Sequence, residues 1–547
     1  MPIRHLEAPF VVIGGGLGGL AAAITAARLG VRVILTESSD WLGGQLTSQG
    51  VPPDEHEWID RQPISPSYSE MRERIRDHYR REYPLADAMR ATVNLNPGDG
   101  FVSRLCHEPR VGHLAILEMI SPLQASGLLT VLTEHEPTAV LRDGDRIESV
   151  RLVDRRSGDE VVLRGRFVAD ATELGDLLDL GGLDHVIGAE ASYDTGELHA
   201  PLVADPLDQQ AITWCAALEL RPGESHVIDR PQNYEHWRTA VPSFWPGPQL
   251  SWVDVEPITL ERRERPIFFG SPEDAVGNDD LDLWHYRRIL SRRAMTPEWG
   301  GTDVTLVNWP QIDYWDAPLV DVDAAAKAAA LAGARELTTS FIYWLQTEAP
   351  RSDGGTGYPE LRPRGDVLGT PDGLAKEAYI RESRRIRALF TVTEEHIGRE
   401  MRGEGAGSAL FPDSVGIGFY RIDLHPSTSG RSYVDIDCYP FQIPLGALIP
   451  RDVTNLLAAN KNIGTTHITN GAYRLHPVEW SIGEAAGALA AYCLDTAASP
   501  EAVHADRTRL EDYQQLLSGR LGIALAWSDE IRTRGSRSEA VASVVRG

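Results

Sequence analysis

The stretch from Phe10 to Glu37 constrains the fold more than any other part of the chain. Phe10 to Ile13 is a short apolar run ending in glycines, which reads as a buried strand. Gly14-Gly15-Gly16-Leu17-Gly18-Gly19 follows and contains G-x-G-x-x-G. Leu17 to Leu29 is rich in alanine and leucine and stops at Gly30, a good helix C-cap residue. Val31 to Leu35 reads as a second strand, and Glu37 closes it near the acidic spacing of a dinucleotide fingerprint. Strand, crossover helix and strand together require a parallel sheet. Each glycine has a physical reason. Gly14 makes the tight turn, Gly16 admits a pyrophosphate to the backbone, and Gly19 lets helix and strand pack closely. The helix N-terminus offers unpaired N–H groups and a positive dipole end to phosphate. Glu37 can accept hydrogen bonds from ribose hydroxyls. A ligand-free glycine turn is the competing reading, and the flanking strand and helix disfavour it.

Further along, a charged helix is expected near Ser69 to Tyr83, facing solvent, and an amphipathic helix near His113 to Ala125. Leu129 to Thr133, Thr138 to Leu141, Ile147 to Val153 and Val161 to Leu163 are alternating runs. Turn signals at Asp143-Gly144-Asp145 and Ser157-Gly158-Asp159 separate the last three, which read as a β-meander. Phe167 to Ala171 is another buried strand. From Gly182 to Tyr439 tryptophan, tyrosine and proline are frequent and loops are long, interrupted by expected helices at Ala324 to Leu345 and Leu374 to Leu389. Val453 to Ala459 reads as a core strand, Ile482 to Leu494 as a helix of small residues, and the tail from Glu501 as peripheral helix. The expected division is a nucleotide-binding domain over 1–181 and 440–500, an inserted α+β substrate lobe over 182–439, and a tail over 501–547.

The fingerprint alone does not separate NAD from FAD. Trp41-Leu42-Gly43-Gly44-Gln45 soon after Glu37 resembles the flavoprotein pattern of an acidic residue, a spacer and a Gly-Gly pair. Val168-Ala169-Asp170-Ala171-Thr172-Glu173 resembles the strand and A-T-G element that closes the nucleotide domain, with Glu173 where glycine is commoner. Asn455 to Ile463 resembles the last strand of these folds, with Asn460-Lys461 in place of the usual Gly-Asp. Thr466 to Gly487 resembles the C-terminal flavin segment. On these residues the chain resembles the FAD-dependent oxidoreductase family, in the G-G-Q branch of the glutathione-reductase-like superfamily. The resemblance implies an α/β, Rossmann-like FAD-binding domain of the glutathione-reductase type with a β-meander. It implies that FAD is held by Gly14, Gly16, Gly19, Glu37, Gly43, Gly44, Gln45, Ala171, Thr172, Lys461, Asn462, Trp480, Ile482 and Gly483. Gln45 to Gln49 would lie near the flavin ring. No cysteine precedes Cys106, so the redox C-x4-C of dithiol reductases is missing.

Charge narrows the partners. With 53 basic and 79 acidic residues the chain carries a net charge of −26. Such a surface repels nucleic acid and anionic lipid. The lysines are only Lys327, Lys376 and Lys461, which also weighs against an RNA-modifying flavoprotein. Cys106, Cys215, Cys438 and Cys493 are widely spaced, against a structural zinc site or disulfide framework, so no metal is expected and a reducing cytoplasm is the simplest home. No apolar run reaches membrane-spanning length, and Met1 to Phe10 lacks a signal-peptide core.

A flavin enzyme needs a base where an O–H or N–H proton must leave. His476 and His467 flank the flavin segment, His425 precedes a strand leading to it, and Arg474 suits a carboxylate or oxyanion. These four are the expected catalytic residues, with a small-molecule substrate as partner. The leading function is an oxidase or dehydrogenase moving a hydride from that substrate to the flavin. The alternatives are an NAD(P)H-dependent monooxygenase or reductase and a non-catalytic FAD binder. Gly403-Glu404-Gly405-Ala406-Gly407 lacks a preceding strand and so gives no second nucleotide fingerprint.

Overall fold

The computed structural model describes residues 3–270 and 282–535. Five parallel strands form its central sheet, in the order Leu456–Ala458, Phe167–Asp170, Phe10–Ile13, Val33–Thr36 and Leu129–Leu132. The three central strands are buried throughout, which is why they are apolar runs and not alternating ones. The run at Leu129 therefore joins the core sheet. The other three runs, His135–Asp143, Arg146–Asp154 and Glu160–Arg164, form the expected antiparallel meander, and Arg4–Glu7 adds to its edge in parallel. The chain is thus mixed α/β around a parallel, Rossmann-like sheet.

Two helices cover this sheet and cross each other at glycines. They are Leu17–Arg28 and His476–Thr496. A Cβ on Gly483 would stand 2.0 Å from the Gly18 carbonyl oxygen, and one on Gly487 would stand 2.2 Å from that of Ala22. Backbone therefore packs on backbone, and the long C-terminal helix is fixed against the fingerprint helix. Gly483, expected at the cofactor, is one of these crossing glycines. Trp480 is likewise spent in the interior, donating from its indole to Ser67 Oγ at 2.8 Å, and Ile482 is buried beside it.

A second core lies between a four-stranded antiparallel sheet and helix Ala324–Thr347. The strand order is Arg288–Leu290, Val304–Val307, Ala216–Leu220 and Leu361–Pro363. Trp284, Trp309 and Trp344 are buried there.

Two local expectations are corrected. The charged helix, observed at Pro66–Glu82, starts at Ser65, whose side chain accepts from the Tyr68 amide, with proline in its first turn. It does not simply face solvent. Arg72 and Arg76 point inward, with Arg72 bound to Glu55 at 2.9 Å and Arg76 to Asp60 at 3.1 Å. The helix expected at Leu374–Leu389 is instead mostly extended. Arg381, Glu382, Arg384 and Arg385 are all buried in a row. A helix at that depth would turn some of them away from their partners, whereas extended chain serves both sides. The tail helices Pro500–Ala505 and Arg507–Gln515 are present. Trp527 beyond them is buried against Trp58 and Phe419, so this part of the tail is anchored. The last twelve residues of the expected tail, 536–547, lie outside the described residues.

Candidate active site

The carboxyl ends of the parallel strands open into a cleft of about 990 Å³, including its solvent-facing part. Gly14, Gly16, Glu37, Gly44, Ala171 and Thr172 line it. Gly14 has φ +100°, and a Cβ there would stand 2.2 Å from the Ala171 carbonyl oxygen. Glu37 Oε2 accepts the Gly15 amide at 2.9 Å, and Oε1 accepts the Ser39 amide at 2.9 Å. Burial raises the Glu37 carboxyl to about 7, against the backbone bonds that lower it. Gly43 donates to the Gly15 carbonyl at 2.8 Å, stitching the Gly-Gly pair onto the fingerprint loop. A Cβ on Gly44 would stand 2.9 Å from the Gly16 Cα.

This cradle fits a dinucleotide. Its glycines leave bare backbone at a helix N-terminus, an acidic residue ends the second strand, and the buried Gln45 Oε1 and Gln49 Oε1 lack hydrogen-bond partners among the described residues. The remaining expected contacts sit behind it. A Cβ on Gly19 would meet the Gly14 oxygen at 1.9 Å, and Gln45 Nε2 donates to the Arg474 carbonyl at 3.0 Å. Asn462 Nδ2 donates to the Asp170 carbonyl at 3.0 Å, so its amide is used to join two strand ends. The two departures from the family pattern answer each other: Lys461 Nζ binds Glu173 at 2.5 Å and Glu479 at 3.2 Å. Burial alone would lower the Lys461 ammonium, and the two carboxylates hold it up. Lys461 thus neutralises Glu173, the one acidic group whose Oε1 lies 2.7 Å from the place of a Gly16 Cβ.

The extended segment after Leu374 makes the wall of a second cavity. Ala378 and Ile380 line the first cleft, while Tyr379 and Arg381 line a cavity of about 740 Å³, including its solvent-facing part, on the other side. That is the two-residue alternation of extended chain. Asp54, Tyr286, Arg287, Tyr420, Asp423 and His425 also line the cavity, together with Arg474. His425 Nδ1 bonds Asp313 at 2.6 Å. Arg474 Nη1 donates to the Tyr379 hydroxyl at 2.6 Å, and Nη2 to the Asp423 carbonyl at 2.9 Å. Against burial, His425, Arg421 and Arg474 hold Asp423 well below the usual carboxylate range. Asp54 differs. Its carboxyl has no hydrogen bond or ion pair among the described residues, and burial raises it although Arg287 and Arg474 oppose.

The four expected catalytic residues therefore separate. Arg474 and His425 reach the cavity. His476 and His467 line neither space. Both ring nitrogens of His476 are taken by backbone: Nδ1 accepts the Asp54 amide at 3.1 Å and Nε2 faces the Val51 carbonyl at 3.3 Å. Burial depresses it to about 3. An imidazole so held is neutral and has no free lone pair for a substrate proton. Its work is to fix the turn carrying Asp54. His467 is clamped between Glu382, at 2.8 Å, and Arg431. Asp54, Arg287, Tyr379 and Tyr420 escaped the sequence reading. Only Asp54 had a signal, as it lies five residues past the stretch expected near the flavin ring.

Fold and cleft define a dinucleotide-binding protein, and comparison makes the class specific. The sequence profile of the FAD dependent oxidoreductase family matches residues 9–517. The chain belongs to that family, and its cofactor is FAD. It is 24% identical over 251 residues to sarcosine oxidase subunit alpha of Corynebacterium sp. (strain P-1), covering 42% of this chain and 25% of that protein. The chain thus spans a quarter of that relative's length. Among solved structures, a geranylgeranyl bacteriochlorophyll reductase-like protein of Thermoplasma acidophilum matches with TM-score 0.33 at 10% identity, covering 94% of this chain and 84% of that one. L-proline dehydrogenase of P. horikoshii matches with TM-score 0.19 at 15% identity, covering 35% of this chain and 25% of that one. No described helix is long and apolar enough to cross a membrane.

Proposed function

We propose that the chain is an oxidase or dehydrogenase that oxidises a small organic molecule in the cavity bounded by Asp54, Tyr379 and Arg474. The carrying observation is the 377–381 segment, which places this cavity and the FAD cleft back to back. Residues 1–181 and 440–500 then form a FAD domain of the glutathione-reductase type, and 182–439 the inserted substrate lobe. The wide spacing of the four buried cysteines fits a cytoplasmic setting.

When bound, FAD supplies a two-electron acceptor. The chain's own residues handle the rest. Asp54 is 8% exposed and lines the cavity with a carboxyl unpartnered among the described residues, so it takes the proton that leaves oxygen or nitrogen as the carbon is oxidised. Arg474 is fixed by Tyr379 and Asp423 and steadies negative charge nearby. His476 holds the Asp54 turn.

Anaerobic mixing with candidate substrates, followed by flavin absorbance, tests the reading. Asp54→Asn should keep full FAD content and slow flavin reduction about 10²–10⁴-fold. An unchanged rate in that variant refutes the base assignment. Bleaching by NADPH in place of any small donor would refute the oxidase reading.

A further inference from the structure

The cavity wall carries six arginines: Arg263, Arg265, Arg287, Arg381, Arg421 and Arg474. Five are held by aspartates of the protein. Arg263 and Arg265 bind Asp254 at 2.8 and 3.4 Å. Arg381 binds Asp313 at 3.1 Å, Arg421 binds Asp435 at 2.7 Å, and Arg474 lies 3.5 Å from Asp423. Arg287 is the exception. Its Nε and Nη1 are buried without a hydrogen-bond partner, and no carboxylate among the described residues pairs with it. Its ring contact is the Tyr286 face, 5.5 Å away. Burial alone would lower the guanidinium, and Asp54 is the strongest charge holding it up.

A guanidinium with two buried, unpartnered nitrogens is costly unless a ligand completes it. Among the described residues every neighbouring arginine is met by an aspartate, while Arg287 and the Asp54 carboxyl are left open. Both groups line the same cavity, so one molecule bound there can meet both. We infer that Arg287 binds a carboxylate of the substrate, which is a small 2-hydroxy or 2-amino acid whose hydroxyl or amino group meets Asp54. Planar guanidinium and planar carboxylate make charge-assisted hydrogen bonds, and arginine suits that geometry better than lysine. Oxidation balances on this placement. With FAD bound as the two-electron acceptor, the α-carbon would give up a hydride, the adjacent O–H or neutral N–H would lose its proton to Asp54, and a C=O or C=N bond would form. Arg287 keeps the carboxylate in place without taking part in bond breaking.

The inference rests on reading the cavity as the substrate site, so the experiment separates the two. FAD-loaded protein is titrated with three- to six-carbon 2-hydroxy and 2-amino carboxylates, each beside its carboxamide. Binding is read by isothermal calorimetry, and reaction by anaerobic flavin bleaching. Carboxylates should bind about 10–100-fold more tightly than their amides. Arg287→Met should remove that preference while leaving the weak amide binding and FAD content unchanged. Arg287→Lys, which keeps the charge, should recover part of it. Whichever family bleaches the flavin identifies the group that meets Asp54. Equal binding of acid and amide, or an unchanged preference in Arg287→Met, overturns the carboxylate assignment even if some uncharged donor bleaches the flavin. Selective, Arg287-dependent carboxylate binding without bleaching by any member would sustain the anion site and overturn the oxidation reading.

Discussion

The FAD cleft and the arginine cavity lie on opposite sides of one extended segment, yet they are built differently. At its fingerprint end the cleft is made of backbone. Its turn, its close approaches and its helix N-terminus come from glycines within a single stretch of chain. The cavity is made of side chains delivered from near residues 54, 287, 380, 421 and 474. Backbone sites tolerate little change in shape, because a Cβ meets a neighbouring main chain that cannot move aside. Side-chain sites tolerate shape changes better but depend on charge balance. Substitutions in the first region should therefore act on folding and FAD retention, and those in the second on rate and selectivity.

The largest effect is expected from Gly483→Val, whose side chain would run into the Gly18 carbonyl oxygen, 2.0 Å from a Cβ. Overpacking between two fixed backbones costs several kcal/mol, of order 3 or more. The variant should yield little soluble, yellow protein; a normal melt with full FAD would show that the helix crossing is looser than the structure has it.

Lys461→Met comes next. It strands Glu173 and Glu479, and breaking a buried pair typically costs about 3–5 kcal/mol. Glu173 would then also face the phosphate seat uncompensated, so FAD content should fall. Adding Glu173→Gln should restore much of both losses. Failure of that rescue, measured by thermal melts and bound flavin, would break the link between Lys461 and Glu173.

His476→Gln should have the smallest kinetic effect, less than the roughly 10²-fold expected of a lost general base. Its signature lies in pH. The unfolded imidazole binds a proton below 6.5, the folded one only near 3. Between those values the unfolded state binds more protons, so the ring's contribution to stability is full above 6.5 and shrinks as pH falls. The melting advantage of the native protein over His476→Gln should therefore narrow from pH 7 to pH 4. A constant gap, or a large loss of flavin reduction with an unchanged melt, would return His476 to the reacting centre.

The parallel sheet, the fingerprint, the meander and the FAD family were legible along the chain. Period, turn residues and glycine spacing are local, and local sterics force them. So were the departures at Glu173 and Asn460-Lys461, although nothing in the sequence showed that Lys461 would bind Glu173 across a separation of 288 residues. The tertiary structure alone decided which polar residues face a cavity. His476 looked catalytic from its place beside the flavin segment, but backbone groups claimed both its ring nitrogens. The Leu374–Leu389 stretch looked helical from composition. Its clustered charged residues find partners on two sides only when extended, and that geometry makes the wall between the cleft and the cavity. Asp54 and Arg287 carry no motif. Their importance comes from partners they lack among the described residues, and an unmet charge becomes visible only when the surrounding chain is in place.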